Sequence, residues 1–146
     1  MIPRGAAVLW VCLSLSACAT YNVRQFQLVD QTQKTITVPA GGHGLLGAIK
    51  DALRADGWKM SVDRGPIVTE GQIGTDTRLQ QYDTFNTRYR LLVRGRQFDI
   101  CLNLDPALVY DISLTDNLNG QEVLTMSGRG CEGTIAKEFL KNLGTR

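Results

Sequence analysis

A long alternation of apolar and polar residues between positions 85 and 126 restricts the fold of this chain more than any other feature. Its two cleanest runs are Phe98, Ile100, Leu102, Leu104 and then Leu108, Tyr110, Ile112, Leu114. Because successive side chains of a strand point to opposite faces of a sheet, this spacing predicts strands with one apolar face. Turn-forming residues at Gly95-Arg96, Asp105–Ala107 and Asp116–Gly120 divide the segment. The predicted antiparallel strands span about residues 85–94, 97–104, 108–115 and 121–129.

The rest of the chain supplies two helices and further strands. Thr35–Val38 is β-branched throughout and stops at Pro39, which predicts a strand. Apolar residues at helical spacing predict a helix from Leu45 to the Asp56-Gly57 stop and a second helix over Glu132–Leu143. The other predicted strands are Trp58–Val62 and a short one at about 24–29.

The order β-α-β-loop-β-β-β-β-α predicts the α+β class. We expect a two-layer sandwich, with a mostly antiparallel sheet of about five or six strands and two helices on one face. The longest irregular segment is the polar stretch Glu70–Asp83, near the length at which a loop is usually functional or mobile.

The N-terminal segment predicts export. Ala6–Leu15 is apolar apart from Ser14 and follows Arg4, but it is shorter than the roughly 20 residues that span a bilayer. These are the features of a signal peptide. The sequence Leu15-Ser16-Ala17-Cys18 resembles a bacterial lipobox, with a branched apolar residue, two small residues and a cysteine. The resemblance implies cleavage between Ala17 and Cys18, diacylglycerol on the Cys18 thiol and an acyl chain on its amine.

The resulting organisation is a signal peptide (1–17), a lipidated cysteine with a tether (18–34) and one α+β domain (35–146). The alternative is an ordinary secretory signal cut near Ala17 or Ala19, which would leave Cys18 as an exposed thiol in an oxidising compartment. No aspartate follows Cys18, and by the sorting rule of enteric bacteria this implies the outer membrane, facing the periplasm.

Charge and cysteine content restrict the class of partner and the possible disulfide. The 146 residues hold 16 basic and 14 acidic side chains, so nothing favours a nucleic-acid partner. Apart from Cys12 and Cys18, the cysteines are Cys101 and Cys131. Export permits a disulfide between them. In a plain meander of the predicted strands, however, Cys101 lies opposite about Asp111, too far from Cys131 for a bond. The sequence leaves this disulfide open.

No catalytic constellation is visible. His43, in Gly41–Gly44, is the only histidine, and neither a Gly-x-Ser-x-Gly motif nor a second metal ligand near it is present. We therefore expect no enzyme, no catalytic residue, no metal and no cofactor other than the covalent lipid. A candidate binding face is formed by arginines, for acidic polysaccharide, lipid phosphate or an acidic partner. Its members are Arg88, Arg90 and Arg94 on one strand face and Arg96 in the next turn. The alternative is a solvated face in which they pair with Asp99 and Asp111.

The predicted domain also resembles the small domains of envelope-assembly lipoproteins. The lipopolysaccharide-assembly lipoprotein and the N-terminal domain of the Tol–Pal propeller protein are examples. The residues that carry the likeness are Leu45–Leu53, Gly57-Trp58, Tyr110–Leu114 and the Ile135–Leu140 helix. It implies a non-enzymatic accessory or assembly factor of an outer-membrane or envelope complex. The alternative is a periplasmic inhibitor or immunity lipoprotein that blocks a cell-wall hydrolase or toxin. An envelope enzyme is a third hypothesis, for which His43→Ala is the first test.

Overall fold

A computed structural model describes residues 21–63, 71–72, 78–79 and 86–144, with the backbone alone described for 71–72 and 78–79. The chain forms an α+β fold, as predicted, in which two helices cover one face of a six-stranded sheet. The strands are β1 (Tyr21–Gln25), β2 (Thr35–Val38), β3 (Lys59–Val62), β4 (Gly71–Gln72), β5 (Arg78–Leu79), β6 (Tyr89–Ile100), β7 (Pro106–Asp116) and β8 (Glu122–Cys131). The helices are α1 (Gly44–Ala55) and α2 (Glu132–Gly144).

The sheet has the order β1-β8-β7-β6-β2-β3. Strands β6, β7, β8 and β1 pair antiparallel, whereas β2 runs parallel to both β6 and β3. The parallel pair follows from the connection, because α1 carries the chain from the end of β2 back to the start of β3. Strands β4 and β5 form a separate antiparallel pair within the segment 70–83. The rest of that segment lies outside the described residues.

The core lies between the sheet and the helices. Burying side chains of this size stabilises a fold by about 1.5–3 kcal/mol each. The largest fully buried side chains are Ile36 and Val38 from β2, Ile49 and Leu53 from α1, Tyr89 from β6, Ile112 and Leu114 from β7, Val123, Leu124 and Met126 from β8, and Phe139 with Leu143 from α2.

The predicted turn at Gly95-Arg96 is wrong. Strand β6 continues through both residues and pairs with β7 along its length, so three long antiparallel strands replace the predicted four. Gly95 lies under α1, where an added Cβ would contact the Leu45 side chain at 3.5 Å. This is an ordinary van der Waals distance, so the glycine lies within a regular strand under the helix and forms no turn.

The strand is irregular further along, between Gln97 and Asp99. Beyond this irregularity the alternating apolar residues leave the core, and Phe98 and Ile100 are exposed. Residues Cys101 to Asp105 then form the turn of the β6–β7 hairpin. The predicted strand 97–104 is thus the end of β6 followed by a turn.

The segment 18–34, predicted to be a tether with a short strand at about 24–29, carries an edge strand of the sheet at Tyr21–Gln25, earlier than predicted. Strand β1 pairs with β8 from Tyr21 opposite Gly128 to Gln25 opposite Leu124. The side chain of Val29 joins the core. An edge strand needs only one apolar side, which is why its polar sequence resembled a linker.

Candidate functional site

The tip of the β6–β7 hairpin is fixed to the end of β8 by a disulfide. Cys101 and Cys131 are bonded, with their Cα atoms 6.1 Å apart. The meander order is retained, but its register differs from the one predicted, because the hairpin turns at Cys101 to Asp105. Ala107 lies opposite Cys131, and Cys101 donates its backbone N–H to the carbonyl of Asp105. Cys101 therefore lies beside the last residue of β8 rather than opposite Asp111.

The same tip exposes a group of large apolar side chains. Their exposed fractions are 50% for Phe98, 61% for Ile100, 107% for Leu102 and 84% for Leu104. Large apolar groups concentrated at one exposed place usually mark an interaction site. The sequence carried the signal, since the alternation of residues 98–104 ends in a turn, but the pattern was assigned to the core.

Arginines lie on the sheet face opposite the helices. Cross-strand pairs place Arg96 beside Val109 and Val109 beside Arg129, so both arginines lie in one row across β6, β7 and β8. Arg94 lies in the next row of this face, opposite Asp111. Among the described residues neither Arg94 nor Arg96 forms an ion pair. The expected pairing of these arginines with Asp99 and Asp111 is therefore not formed.

The other members of the candidate face differ from expectation. Arg90 lies on this face but is bound to Asp63, with Nη2 2.5 Å from the carboxylate. Arg24 on β1 belongs to the same face, since it lies opposite Thr125. We call the exposed set Arg24, Arg94, Arg96 and Arg129 the arginine face. Arg24 and Arg129 were missed because only the strand order and register place them on the same sheet face as Arg94 and Arg96.

Arg88 does not belong to the arginine face. It precedes β6, and its Nη2 donates to the buried carboxylate of Asp116 at 2.7 Å. Its guanidinium also lies 5.5 Å from the centre of the Tyr89 ring. A hydrogen bond with the Tyr89 side chain, ahead of the attraction of Asp116, raises the pKa of Arg88. Arg88 is a structural cation at the end of the sheet farther from the hairpin tip.

A second polar link holds the chain that leaves β1. The Tyr89 hydroxyl accepts a hydrogen bond from the Asp30 backbone N–H at 2.7 Å. The Asp30 carboxylate accepts hydrogen bonds from the Thr32 hydroxyl at 2.6 Å and from its backbone N–H at 2.9 Å. These bonds, led by that from the hydroxyl, lower the pKa of Asp30. The network holds the chain after β1 against the start of β6.

The glycine-rich loop leads into α1. His43 is the exposed N-cap residue of α1, and its side chain makes no capping bond. An open groove of about 470 Å³ lies nearby, between α1 and β3. Lys50 lines it, but the ammonium donates to the carbonyls of Pro39 and Gly41. This lysine therefore fastens the loop to the helix.

Neither a metal-binding group nor a membrane-spanning helix is found in the described part of the chain. No group of three or more His, Cys, Asp and Glu side chains within it could hold a metal ion. Neither α1 nor α2 is long and apolar enough to cross a membrane. The predicted cleavage residue Ala17 and the predicted lipidation residue Cys18 lie outside the described residues.

Comparison with known proteins identifies the fold and goes no further. No protein-family model matches the chain, and no curated protein sequence matches it significantly. A PelC dodecamer from Paraburkholderia phytofirmans, crystallised in space group P6, matches with a TM-score of 0.50. The identity is 15%, over 85% of this chain and 94% of that chain. A PelC point variant in space group C2, also a dodecamer, gives a TM-score of 0.46 at the same identity and coverage. This level of identity shows a shared fold alone.

Proposed function

We propose that this chain is a lipid-anchored envelope protein that acts without catalysis, as an accessory or assembly factor of an outer-membrane or envelope complex facing the periplasm. The anchor rests on the lipobox-like Leu15-Ser16-Ala17-Cys18. The arginine face is the single observation that supports binding as the function. Unpaired guanidinium groups on a rigid sheet are suited to carboxylates or phosphates of a partner, because their geometry allows paired hydrogen bonds.

The face is suited to binding because the sheet holds the arginines in place. Arg96 and Arg129 flank Val109 on neighbouring strands, so their positions follow from the backbone register. The Arg129 guanidinium also lies 5.5 Å from the centre of the Phe98 ring, which favours one orientation of this side chain. We expect an acidic partner protein to bind across β6, β7 and β8.

The anchor is tested by the intact mass of the protein extracted from membranes. The expected mass is that of residues 18–146 plus the acyl chains, and the Cys18→Ala variant is expected to lack the lipid. A wild-type mass without lipid would exclude the anchor.

The arginine face is tested by affinity capture from detergent-solubilised envelopes, with the captured proteins quantified by mass spectrometry. The variant carries Arg94→Glu and Arg96→Glu. The matched control carries Arg54→Glu and Lys137→Glu, which cause the same change of net charge on exposed positions of the two helices. We expect a partner that the wild type and the control capture and the Arg94/Arg96 variant loses.

Two other results have a clear meaning. If no captured protein distinguishes the two variants, the arginine face is not the binding site. If the distinguishing protein is a soluble cell-wall hydrolase or toxin, the function is that of an inhibitor or immunity protein. Because PelC of similar fold is a dodecamer, the native mass of the solubilised chain is measured as well, and it shows whether a second copy is the partner.

A further inference from the structure

We propose that the apolar tip of the β6–β7 hairpin, residues Phe98 to Leu104, inserts into the same phospholipid bilayer that holds the Cys18 lipid. This inference rests on the proposed anchor and adds a second, non-covalent membrane contact. The proposed binding partner of the tip is the outer region of the lipid acyl chains.

The fold itself does not require these side chains. Leu102 is fully exposed and Leu104 is 84% exposed, so neither contributes to the core. Leu104 also has a φ of 68°, a left-handed conformation that costs a non-glycine residue roughly 1–2 kcal/mol. An exposed leucine in a conformation that favours glycine lowers stability, which indicates that its apolar surface is used outside the domain.

Several polar groups of the turn are hydrogen-bonded within it. The Leu104 N–H donates to the Cys101 carbonyl, and the Cys101 N–H donates to the Asp105 carbonyl. The Asn103 amide donates to the Asp105 carboxylate at 2.8 Å. Backbone groups that are already bonded cost less to remove from water, and this is a condition for entering a membrane.

Strand β1 begins at the same end of the sheet as the tip. Tyr21 lies opposite Gly128, three residues before Cys131, and β1 runs antiparallel to β8. The chain that enters β1 therefore comes from the end of the sheet where β8 finishes and the disulfide holds the tip. Cys18 is three residues before Tyr21, so their Cα atoms are at most about 11 Å apart. This reach is comparable with the roughly 10 Å that three strand residues span from Gly128 to Cys131.

The surroundings of the tip suit a membrane surface. Tyr21, on the strand that follows the anchor, is 54% exposed, and tyrosine is enriched at membrane interfaces. Asp99 and Asp105 near the turn oppose strongly anionic lipid, so we specify a neutral phosphatidylethanolamine-rich bilayer.

The test measures the depth of the tip in a bilayer. The lipidated chain is reconstituted into phosphatidylethanolamine vesicles that contain lipids brominated on the acyl chains, which quench nearby tryptophan. One variant carries Leu102→Trp. The matched control carries Leu118→Trp, which is 72% exposed in the β7–β8 turn at the other end of these strands. The native Trp58 is buried and contributes the same background to both variants.

The proposal predicts quenching of the Leu102→Trp variant and none of the Leu118→Trp control beyond the wild-type background. A further Leu104→Ser substitution in the Leu102→Trp variant should lower the quenching. For a chain that lacks the lipid, the same change should weaken vesicle binding by roughly tenfold, since the transfer of one leucine corresponds to about one order of magnitude in a partition constant.

A tip that does not insert and a chain that carries no lipid give different experimental results. If the lipidated chain shows equal quenching of both variants, the tip does not enter the bilayer although the anchor is present. If the intact mass shows no lipid, the anchor is wrong, and the same variants are mixed with preformed vesicles. Quenching specific to Leu102→Trp would then still support insertion, and its absence would exclude it.

Discussion

The Cys101–Cys131 disulfide allows the sharpest prediction about stability. The bond closes a loop with a sequence separation of 30 residues. In the chain-entropy relation, a loop of this length removes about 12 cal mol⁻¹ K⁻¹ from the unfolded chain, which is about 3.6 kcal/mol at 25 °C. We therefore expect the Cys101→Ala/Cys131→Ala variant to lose about 3–4 kcal/mol in its free energy of unfolding.

Urea unfolding followed by circular dichroism measures this loss. With an m-value of about 2 kcal mol⁻¹ M⁻¹, the midpoint should fall by roughly 2 M urea. The variant should still fold, because domains of this kind have about 5–15 kcal/mol of stability, which exceeds the expected loss. The loss concerns the unfolded chain, so the native signal should hardly change.

Wild-type protein treated with reductant is the control. It should unfold at the same midpoint as the variant, since both lack the bond, and a difference between them would measure the packing of the two sulfur atoms. If oxidised and reduced wild type unfold at the same urea concentration while their masses differ by two hydrogen atoms, loop closure does not stabilise this domain and the entropic reasoning is refuted.

Three further changes test other parts of the structure. Asp116→Ala should destabilise the domain by roughly 2–4 kcal/mol, because it leaves the largely buried Arg88 without its carboxylate partner. Thermal unfolding measures this loss. The control Asp111→Ala, on the exposed sheet face, should cost less than about 0.5 kcal/mol. Leu104→Gly should raise the free energy of unfolding by about 0.5–1 kcal/mol, because the gain from relieving the positive φ exceeds the entropy that a glycine loses on folding. Urea unfolding measures this, and an unchanged or lower free energy of unfolding would argue against strain at Leu104. Hydrogen bonds from Thr32 lower the pKa of Asp30, so the ionised carboxylate stabilises the domain above about pH 4, and this stabilisation is lost as the pH falls through the lowered pKa. The free energy of unfolding measured across this range should fall more steeply in the wild type than in Asp30→Asn. Equal slopes would show that Asp30 does not contribute.

Periodicity was sufficient for much of the fold. The β-branched run before Pro39 predicted β2, and helical spacing with a glycine stop predicted α1, where Gly57 has the expected positive φ of 82°. The α+β class followed from the order of these elements. Local patterns of this kind are informative because the backbone geometry of one strand or helix fixes which side chains share a face.

The candidate site could be predicted only in part. Arg94 was identified from alternation and Arg96 from its place in the predicted turn. Arg88 was assigned to their face because its spacing matches and its buried partner Asp116 lies 28 residues away. Arg129 could be assigned to the arginine face only from the pairing of β8 with β7. Contacts between residues distant in sequence depend on register, which no single segment encodes.

The sequence by itself thus determined most of the elements and the fold class, and it predicts export with a lipid on Cys18. The tertiary structure decided how far β6 extends, and with it the disulfide and the exposed tip. The physical reason is strand pairing, because Gly95 and Arg96 pair with Tyr110 and Val109 of β7 and so continue the strand where the local sequence favours a turn. Strand β6 therefore reaches Ile100, Cys101 lies beside Cys131, and the leucines of the turn lie outside the core.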